Sequence, residues 1–296
     1  MSIVNKNSNK TFSDLERSVL FYKDTEQPFT GQYTNTFEEG IYCCKNCDAP
    51  LYHSSHKFDS SCGWPAFDDE IKNGNQNNGQ SSVEKIPDAD GRRTEIVCNN
   101  CKAHLGHIFV GEGATGKNLR HCVNSVSMNF VPENNPNLEV AIVAAGCFWG
   151  VEHWFHKLKG VLGVRVGYTG GHTPNPNYKD ICTGKTGHLE ALKVVFDPKV
   201  VSYEQVIKYF FEIHNYSQTD GQGNDIGSQY LSAIFVRNET QKTVAQSVIN
   251  ILENKNHTVA TKILPEAQFF NAEEYHQDYY TKTNKEPYCH FYNKIF

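Results

Sequence analysis

The chain has 296 residues, ten of them cysteine, with 28 Lys and Arg set against 33 Asp and Glu. That length exceeds a typical domain and predicts two separate cores, while a formal net charge of -5 argues against a basic nucleic-acid footprint or a polybasic membrane anchor. No run is long and apolar enough to span a bilayer as a helix. The opening residues MSIVNKNSNKTFSDLERSVL lack the apolar centre of a secretory signal, so the expected location is cytoplasmic. In that reducing compartment the cysteines point to metal ligands, redox actors or buried thiols rather than a static disulfide framework.

The first expected domain, residues 1–133, reads as short strands and turns. EEGIYCCKNCDAPLY (38–52), RRTEIVCNNCKAHLGHIFV (92–110) and LRHCVNSVSMNFV (119–131) carry β-favouring residues broken by cysteine and glycine, which predicts a mainly antiparallel β domain. The polar stretch NGNQNNGQSS (73–82) is expected to be an exposed loop. Cys44 and Cys47 form one Cys-x-x-Cys pair, and Cys98 and Cys101 another. Two such pairs on tight turns can hold one structural zinc tetrahedrally; two reducible dithiols or idle thiols are the alternatives. Cys43 reads as a half-buried strand thiol.

Between and after these pairs lie two more cysteines in unusual company. Cys62 sits in SSCGWPAF, where Gly63 and Pro65 bend the chain and Trp64 offers an apolar face with one polar handle. Cys122 follows Arg120 and His121, whose charges would favour a thiolate. A lone histidine is usually a satisfied surface or core residue. His104 and His107, both in AHLGH beside a candidate metal site, make a functional role as good a reading as a structural one.

The proline- and asparagine-rich segment 131–138 separates the halves, with 134–138 as the linker and 139–296 as the second domain. Strand-like runs at EVAIVAA, VRVGYTGG, EALKVVFD and YLSAIFV alternate with helical spacing in FWGVEHWFHKL, SYEQVIKYFFEIH and ETQKTVAQSVINILENK. This predicts an α+β domain with a central sheet flanked by helices. Ser202 and Gln205 read as a capping box. A strand over 140–145 and a helix over 148–159 would put Cys147 at a helix start, where unpaired N–H groups favour a thiolate. Val151, Trp154, Phe155 and Leu158 recur at core spacing, while Phe148 and Trp149 at the turn suit a pocket. Glu190, just before an apolar strand, could be desolvated and act as a general acid; alone, it reads as a surface carboxylate.

Two resemblances follow from these motifs. GIYCCKNCDAPLY, FDSSCGWPAF, CNNCKAHLGHIF and RHCVNSVSMNF together resemble methionine sulfoxide reductase B over roughly residues 12–131. The resemblance implies Cys122 as nucleophile, Cys62 as resolving thiol, zinc on Cys44, Cys47, Cys98 and Cys101, and a substrate site lined by Trp64, His104, His107 and Asn124. The residue before that nucleophile, usually aromatic in the family, is His121 here. GCFWG, GYTGGHTPNPNY, TGHLEAL and GNDIGSQY are similar to methionine sulfoxide reductase A over roughly 139–291. Here the resemblance implies Cys147 as nucleophile, Phe148 and Trp149 as the methyl pocket, Glu190 as the acid, and Tyr178, Asp225 and Tyr230 as polar contacts. Cys289 matches the resolving cysteine of a mobile tail, and Cys182 matches no role.

The implied activity is reduction of methionine sulfoxide, free or in oxidised proteins, by attack of a low-pKa cysteine, sulfenic acid formation and disulfide closure within each domain. The first domain would take the R epimer and the second the S epimer. The implied reductant is thioredoxin, and no organic cofactor, nucleic acid or membrane is expected. A zinc-ribbon binding module and a peroxide-sensing thiol protein are the competing readings.

Overall fold

The computed structural model describes residues 10–73, 80–88 and 91–296, so the centre of the expected 73–82 loop and the first nine residues lie outside the described residues. The chain divides into two compact units, 1–136 and 137–296, the division falling within the segment read as a linker. Among the described residues no helix is long and apolar enough to cross a membrane.

The first unit opens with a helix that the strand-centred reading missed, α1 (Asp14–Tyr22). Ser13 Oγ accepts from the Glu16 amide and Glu16 returns the bond to the Ser13 amide, a reciprocal cap that satisfies two donors at the helix start. Strands follow in order: β1 (Gly40–Cys44), β2 (Pro50–His53), β3 (Lys57–Phe58), β4 (Ala66–Phe67), β5 (Lys72–Asn73), β6 (Gln80–Ser81), β7 (Val83–Pro87), β8 (Thr94–Cys98), β9 (His104–Val110), β10 (Leu119–Val123) and β11 (Met128–Pro132). They build a three-stranded sheet β11-β1-β2, a six-stranded sheet β3-β4-β10-β9-β8-β7 and the short β5-β6 pair. Every pairing is antiparallel. Leu20 of α1 joins Tyr42, Leu51, Tyr52, Phe67, Ile96, Leu105 and Val123 in one core.

The second unit runs β12 (Glu139–Ala145), α2 (Phe148–Phe155), β13 (Val161–Thr169), α3 (Tyr178–Cys182), β14 (Leu189–Phe196), α4 (Tyr203–Glu212), β15 (Gly221–Gln222), β16 (Asp225–Ile226), β17 (Ser232–Val236), α5 (Glu239–Asn254), β18 (Lys262–Pro265), β19 (Phe270–Asn271) and α6 (Tyr279–Thr283). Its main sheet has the order β18-β17-β12-β14-β13-β19, antiparallel except for the β17–β18 pair. Strand periodicity explains why EVAIVAA is unbroken apolar after its first residue. Ala141, Val143 and Ala145 face the larger core with α2, α4 and α5, while Val140, Ile142 and Ala144 face a smaller cluster with Ala191, Val195 and Phe235. These three helices therefore cover one face of the sheet rather than flanking it.

Local chemistry accounts for the helix limits. Ser202 and Gln205 form the expected capping box at the start of α4. The expected 148–159 helix stops at Phe155, and the chain turns out through Gly160 at φ 96°. Val151 and Phe155 are core residues, with Trp154 and Leu158 packed at the core's edge.

Candidate active sites

In the first unit the two Cys-x-x-Cys turns are built alike. Asp48 and Lys102 both take positive φ, at 58° and 65°, and their amides donate back to the carbonyls of Cys44 and Cys98 at 2.9 and 2.7 Å. The amides of Cys44 and Cys98 in turn donate to Ala49 and Ala103 at 2.8 and 2.9 Å. Two copies of one turn thus present two sulfurs each to a common centre. Cys44 and Cys101 are 3.6 Å apart, as are Cys47 and Cys98, and all four Sγ atoms lie within 4.8 Å of one another. Four Zn–S bonds of about 2.3 Å in a tetrahedron require sulfur separations of about 3.8 Å. The cluster is compatible with zinc and far from disulfide distance. Cys43, buried on β1, lies outside this group.

Cys122, on β10, faces Cys62 with 3.8 Å between sulfurs. Alternation along β10 puts Arg120 and Cys122 on one side and His121 on the other. His121 is fully buried, its Nδ1 3.2 Å from the Tyr52 hydroxyl and its Nε2 3.3 Å from Glu70. Burial holds its pKa down to about 4. It is therefore neutral at pH 7 and does not supply the charge expected beside Cys122. Arg120 alone does, while also gripping Glu112 through two hydrogen bonds of 2.6 and 2.8 Å. Hydrogen bonding to Cys62 and burial push the Cys122 thiol up, whereas the bond from Cys122 and the Ser60 hydroxyl bring Cys62 down to about 5. The two sulfurs are thus placed to share one proton between them.

The pocket over Cys122 has walls of Trp64 and Phe109, with Thr25, His107 and Arg93 at its polar side. Trp64 is fixed by its Nε1–H, which donates to the Glu26 carbonyl at 3.0 Å. His107 is 3.2 Å from Asp88, which also pairs with Arg93 at 3.4 Å. Asn124 lines the pocket, but its side chain is occupied: Oδ1 accepts from Glu26 N and Nδ2 donates to Leu105 O, each at 3.0 Å. His104 does not line the pocket as expected. It is buried behind His107, its Nδ1 2.7 Å from Glu95. Glu26, which the sequence reading passed over, accepts from the amides of Ser125 and Val126 at 2.6 and 3.0 Å and so anchors the loop after Cys122.

In the second unit Gly146, at φ 90°, makes the turn from β12 into α2, and any Cβ there would overlap the Gln222 side chain. Cys147 is consequently the N-cap of α2. The backbone N–H of Trp149 does favour its thiolate, yet hydrogen bonding to Cys289 and burial outweigh that and push the thiol up. This reverses the lowered pKa expected from the helix start. Cys289 is not on a distant tail. It is buried with its Sγ in one group with Cys147 Sγ and an Asp225 oxygen, all within 4.8 Å. The tail beyond it is pinned as the amides of Ile295 and Phe296 donate to Glu212 at 2.9 and 3.1 Å.

Glu190, on β14, is buried and accepts from the Phe148 amide at 3.1 Å. Burial, then the neighbouring Cys147, pushes its carboxyl well above the usual carboxylate range, which favours the protonated acid. Tyr178 and Tyr230 are near enough to feel the Glu190 charge; burial foremost raises both phenols, Tyr230 to about 12. Tyr288 approaches Asp225 at 3.4 Å. Phe148 and Trp149 flank His276, whose Nδ1 accepts from Trp149 Nε1–H at 3.1 Å, and Trp149 stacks on Tyr279 at 3.8 Å. His276 and Tyr279 were missed in the sequence, although EYHQDYY carries four aromatic rings in seven residues. Cys182 is exposed at the end of α3.

Comparison with known proteins now bears directly on this arrangement. The peptide methionine sulfoxide reductase model matches residues 139–295, which is more than half the chain. The chain belongs to that family. The SelR domain model matches residues 12–132, so the reductase is a fusion of a SelR unit with a peptide methionine sulfoxide reductase unit. It is 47% identical over 175 residues to the peptide methionine sulfoxide reductase MsrA of Dickeya dadantii, covering 57% of this chain and 80% of that protein. It is also 47% identical over 154 residues to an MsrA of Thermus thermophilus, covering 52% and 88%. The crystal structure of Mxr1 from Saccharomyces cerevisiae in reduced form matches with TM-score 0.50 and 32% identity, covering 53% of this chain and 94% of that one. The enzyme is a methionine sulfoxide reductase.

Proposed function

We propose that the two units reduce opposite epimers of methionine sulfoxide by one thiol mechanism, the first taking R and the second S. The observation that carries this reading is that each unit holds a pair of sulfurs in mutual reach, Cys62 with Cys122 and Cys147 with Cys289. Cys122 and Cys147 are the nucleophiles; Cys62 and Cys289 resolve. In the second unit Cys147 attacks the sulfoxide sulfur while protonated Glu190 donates to its oxygen, and Tyr178 and Tyr230 orient that oxygen by hydrogen bonds. Oxygen passes to Cys147 as sulfenic acid, methionine leaves, and Glu190 recovers its proton from the displaced thiol hydrogen. Phe148 and Trp149 receive the methyl group, whose size and lack of hydrogen bonding distinguish it from the oxygen. The resolving thiol then closes a disulfide with loss of water.

In the first unit the same step requires Cys122 to be the sulfur freed of the shared proton as substrate enters between Trp64, Phe109 and His107. A structural zinc would be held by Cys44, Cys47, Cys98 and Cys101 and would tie β1 to β8. Each closed disulfide calls for an external dithiol, and thioredoxin is the donor class that fits, with free and protein-bound methionine sulfoxide as substrates. The test is epimer-resolved turnover. Cys147→Ser should abolish reduction of the S epimer and spare the R epimer, and Cys122→Ser should do the reverse. Loss of both activities from either single change would overturn the assignment.

A further inference from the structure

Behind Cys289 stands an imidazole. His290 Nδ1 is 3.0 Å from Cys289 Sγ, and its Nε2 is 2.6 Å from the carbonyl oxygen of Ala145, the last residue of β12. A carbonyl oxygen only accepts, so Nε2 carries the hydrogen and Nδ1 of the neutral ring presents a bare lone pair to the thiol. The ring is 1% exposed, and burial holds its pKa down to about 4, leaving it neutral at pH 7. Its place is fixed from several sides. Trp154 Nε1–H donates to the His290 carbonyl at 3.2 Å, and α2 passes so close at Gly150 that a Cβ there would overlap Nδ1.

We propose that His290 is the general base of the resolving step. This rests on the reading of Cys289 as the thiol that resolves Cys147. The Cys289 S–H bond breaks with its proton passing to Nδ1, and the sulfur's electron pair forms the S–S bond to Cys147 as the Cys147 S–O bond breaks. The departing hydroxide takes the proton back from Nδ1 and leaves as water. The sulfenic sulfur is reduced by one electron pair shared with Cys289, which is oxidised, and the imidazole ends unchanged.

The position of His290 suits this task and not the first attack on substrate, because the ring addresses the second sulfur alone. The titratable groups that bear on it are Cys289 at its Nδ1, Asp225 on β16, and His214 after α4, itself held down to about 3 by burial, while Tyr280 on α6 and Tyr288 on the tail lie near enough to Cys289 and Cys147 to feel their charge. Of these, the Asp225 carboxylate is the one whose charge raises the affinity of His290 for a proton.

The test is a single turnover of full-length protein carrying Cys122→Ser, with and without His290→Gln. A glutamine amide can still donate to the Ala145 carbonyl but cannot take a proton from a thiol. Methionine release and disulfide closure are followed separately at each pH. Methionine release should be unchanged, while closure should slow about 100-fold, the ordinary worth of a general base, and a trappable sulfenic acid should accumulate. Closure in the parent should be level from pH 5 to 8, whereas in the variant it should climb with pH, since hydroxide from solvent must then take the proton. Closure at the parental rate, or equal slowing of release and closure, would overturn the proposal. Should the variant fail to fold, the parent alone decides: a closure rate that climbs steadily from pH 5 to 8 removes the base. Absence of any methionine release in the parent would instead remove the assignment of Cys147.

Discussion

At the scale of single residues, burial sets protonation here more strongly than sequence neighbours do. Glu190 is the clearest case. Its folded pKa is raised, so the protonated acid is present below that value and lost above it. Reduction of the S epimer should therefore persist to higher pH than an ordinary carboxylic acid would allow and fall once the pH passes the raised value, and Glu190→Gln should lower its rate by about 100-fold or more while leaving the R epimer untouched. His121 shows the opposite sign. Its folded pKa of about 4 lies below the ordinary histidine value of 6.5, so the unfolded chain binds the proton first as pH falls. Its contribution is complete above about pH 6.5 and is lost toward pH 4, an effect of about 3 kcal/mol. Thermal melts of the first unit should lose stability across that window, and His121→Phe should flatten the loss without moving the pH profile of R-epimer reduction. A change in that profile would place the ring in the active site after all.

The elements show which parts of the molecule were legible in the sequence. The β12, α2, β14, α4, β17 and α5 segments could be read because a buried strand is continuously apolar and a half-buried helix repeats at 3.6 residues. The helix α1 escaped, although Ser13 and Glu16 spell a capping box, because only Val19 and Leu20 of its residues are buried and its apolar stripe is short. Residue identity singled out candidate cysteines; it could not show direction. Whether Cys122 shares a face with His121 or with Arg120 depends on β10 being a strand with two-residue alternation, and whether Cys289 is near or far depends on Glu212 holding the tail. The paired turns of the cysteine cluster make a prediction of their own. Their like backbone bonding presents four sulfurs to one centre, where a zinc ion would join β1 to β8. Cys44→Ser or Cys98→Ser should unfold the first unit, as metal binding contributes about 10–16 kcal/mol in zinc-finger peptides, whereas Cys43→Ser should leave it folded. Metal analysis should find zinc in the folded protein and none in the two ligand variants.

For the whole molecule, the proposed assignment of one epimer to each unit would let a single chain repair both sulfoxide epimers, each of which has its own reductase. A chelator strong enough to strip the cysteine cluster should silence R-epimer reduction and spare S-epimer reduction, whose unit has no four-cysteine cluster among the described residues. Parallel loss of both activities would count against independent units. Under the proposed mechanism, the sulfenic acid formed on Cys147 could be carried on by peroxide to sulfinic acid, from which there is no ordinary return. Cys289 is already buried against Cys147 instead of having to arrive from a loose tail. Tethering at contact makes ring closure a competition that dilute peroxide loses, because intramolecular partners act at effective concentrations of about millimolar or above. The packed tail is thus a safeguard on the enzyme's lifetime: Cys289→Ser turned over in hydrogen peroxide should gain two oxygens on Cys147 by mass and die, while the parent survives the same exposure.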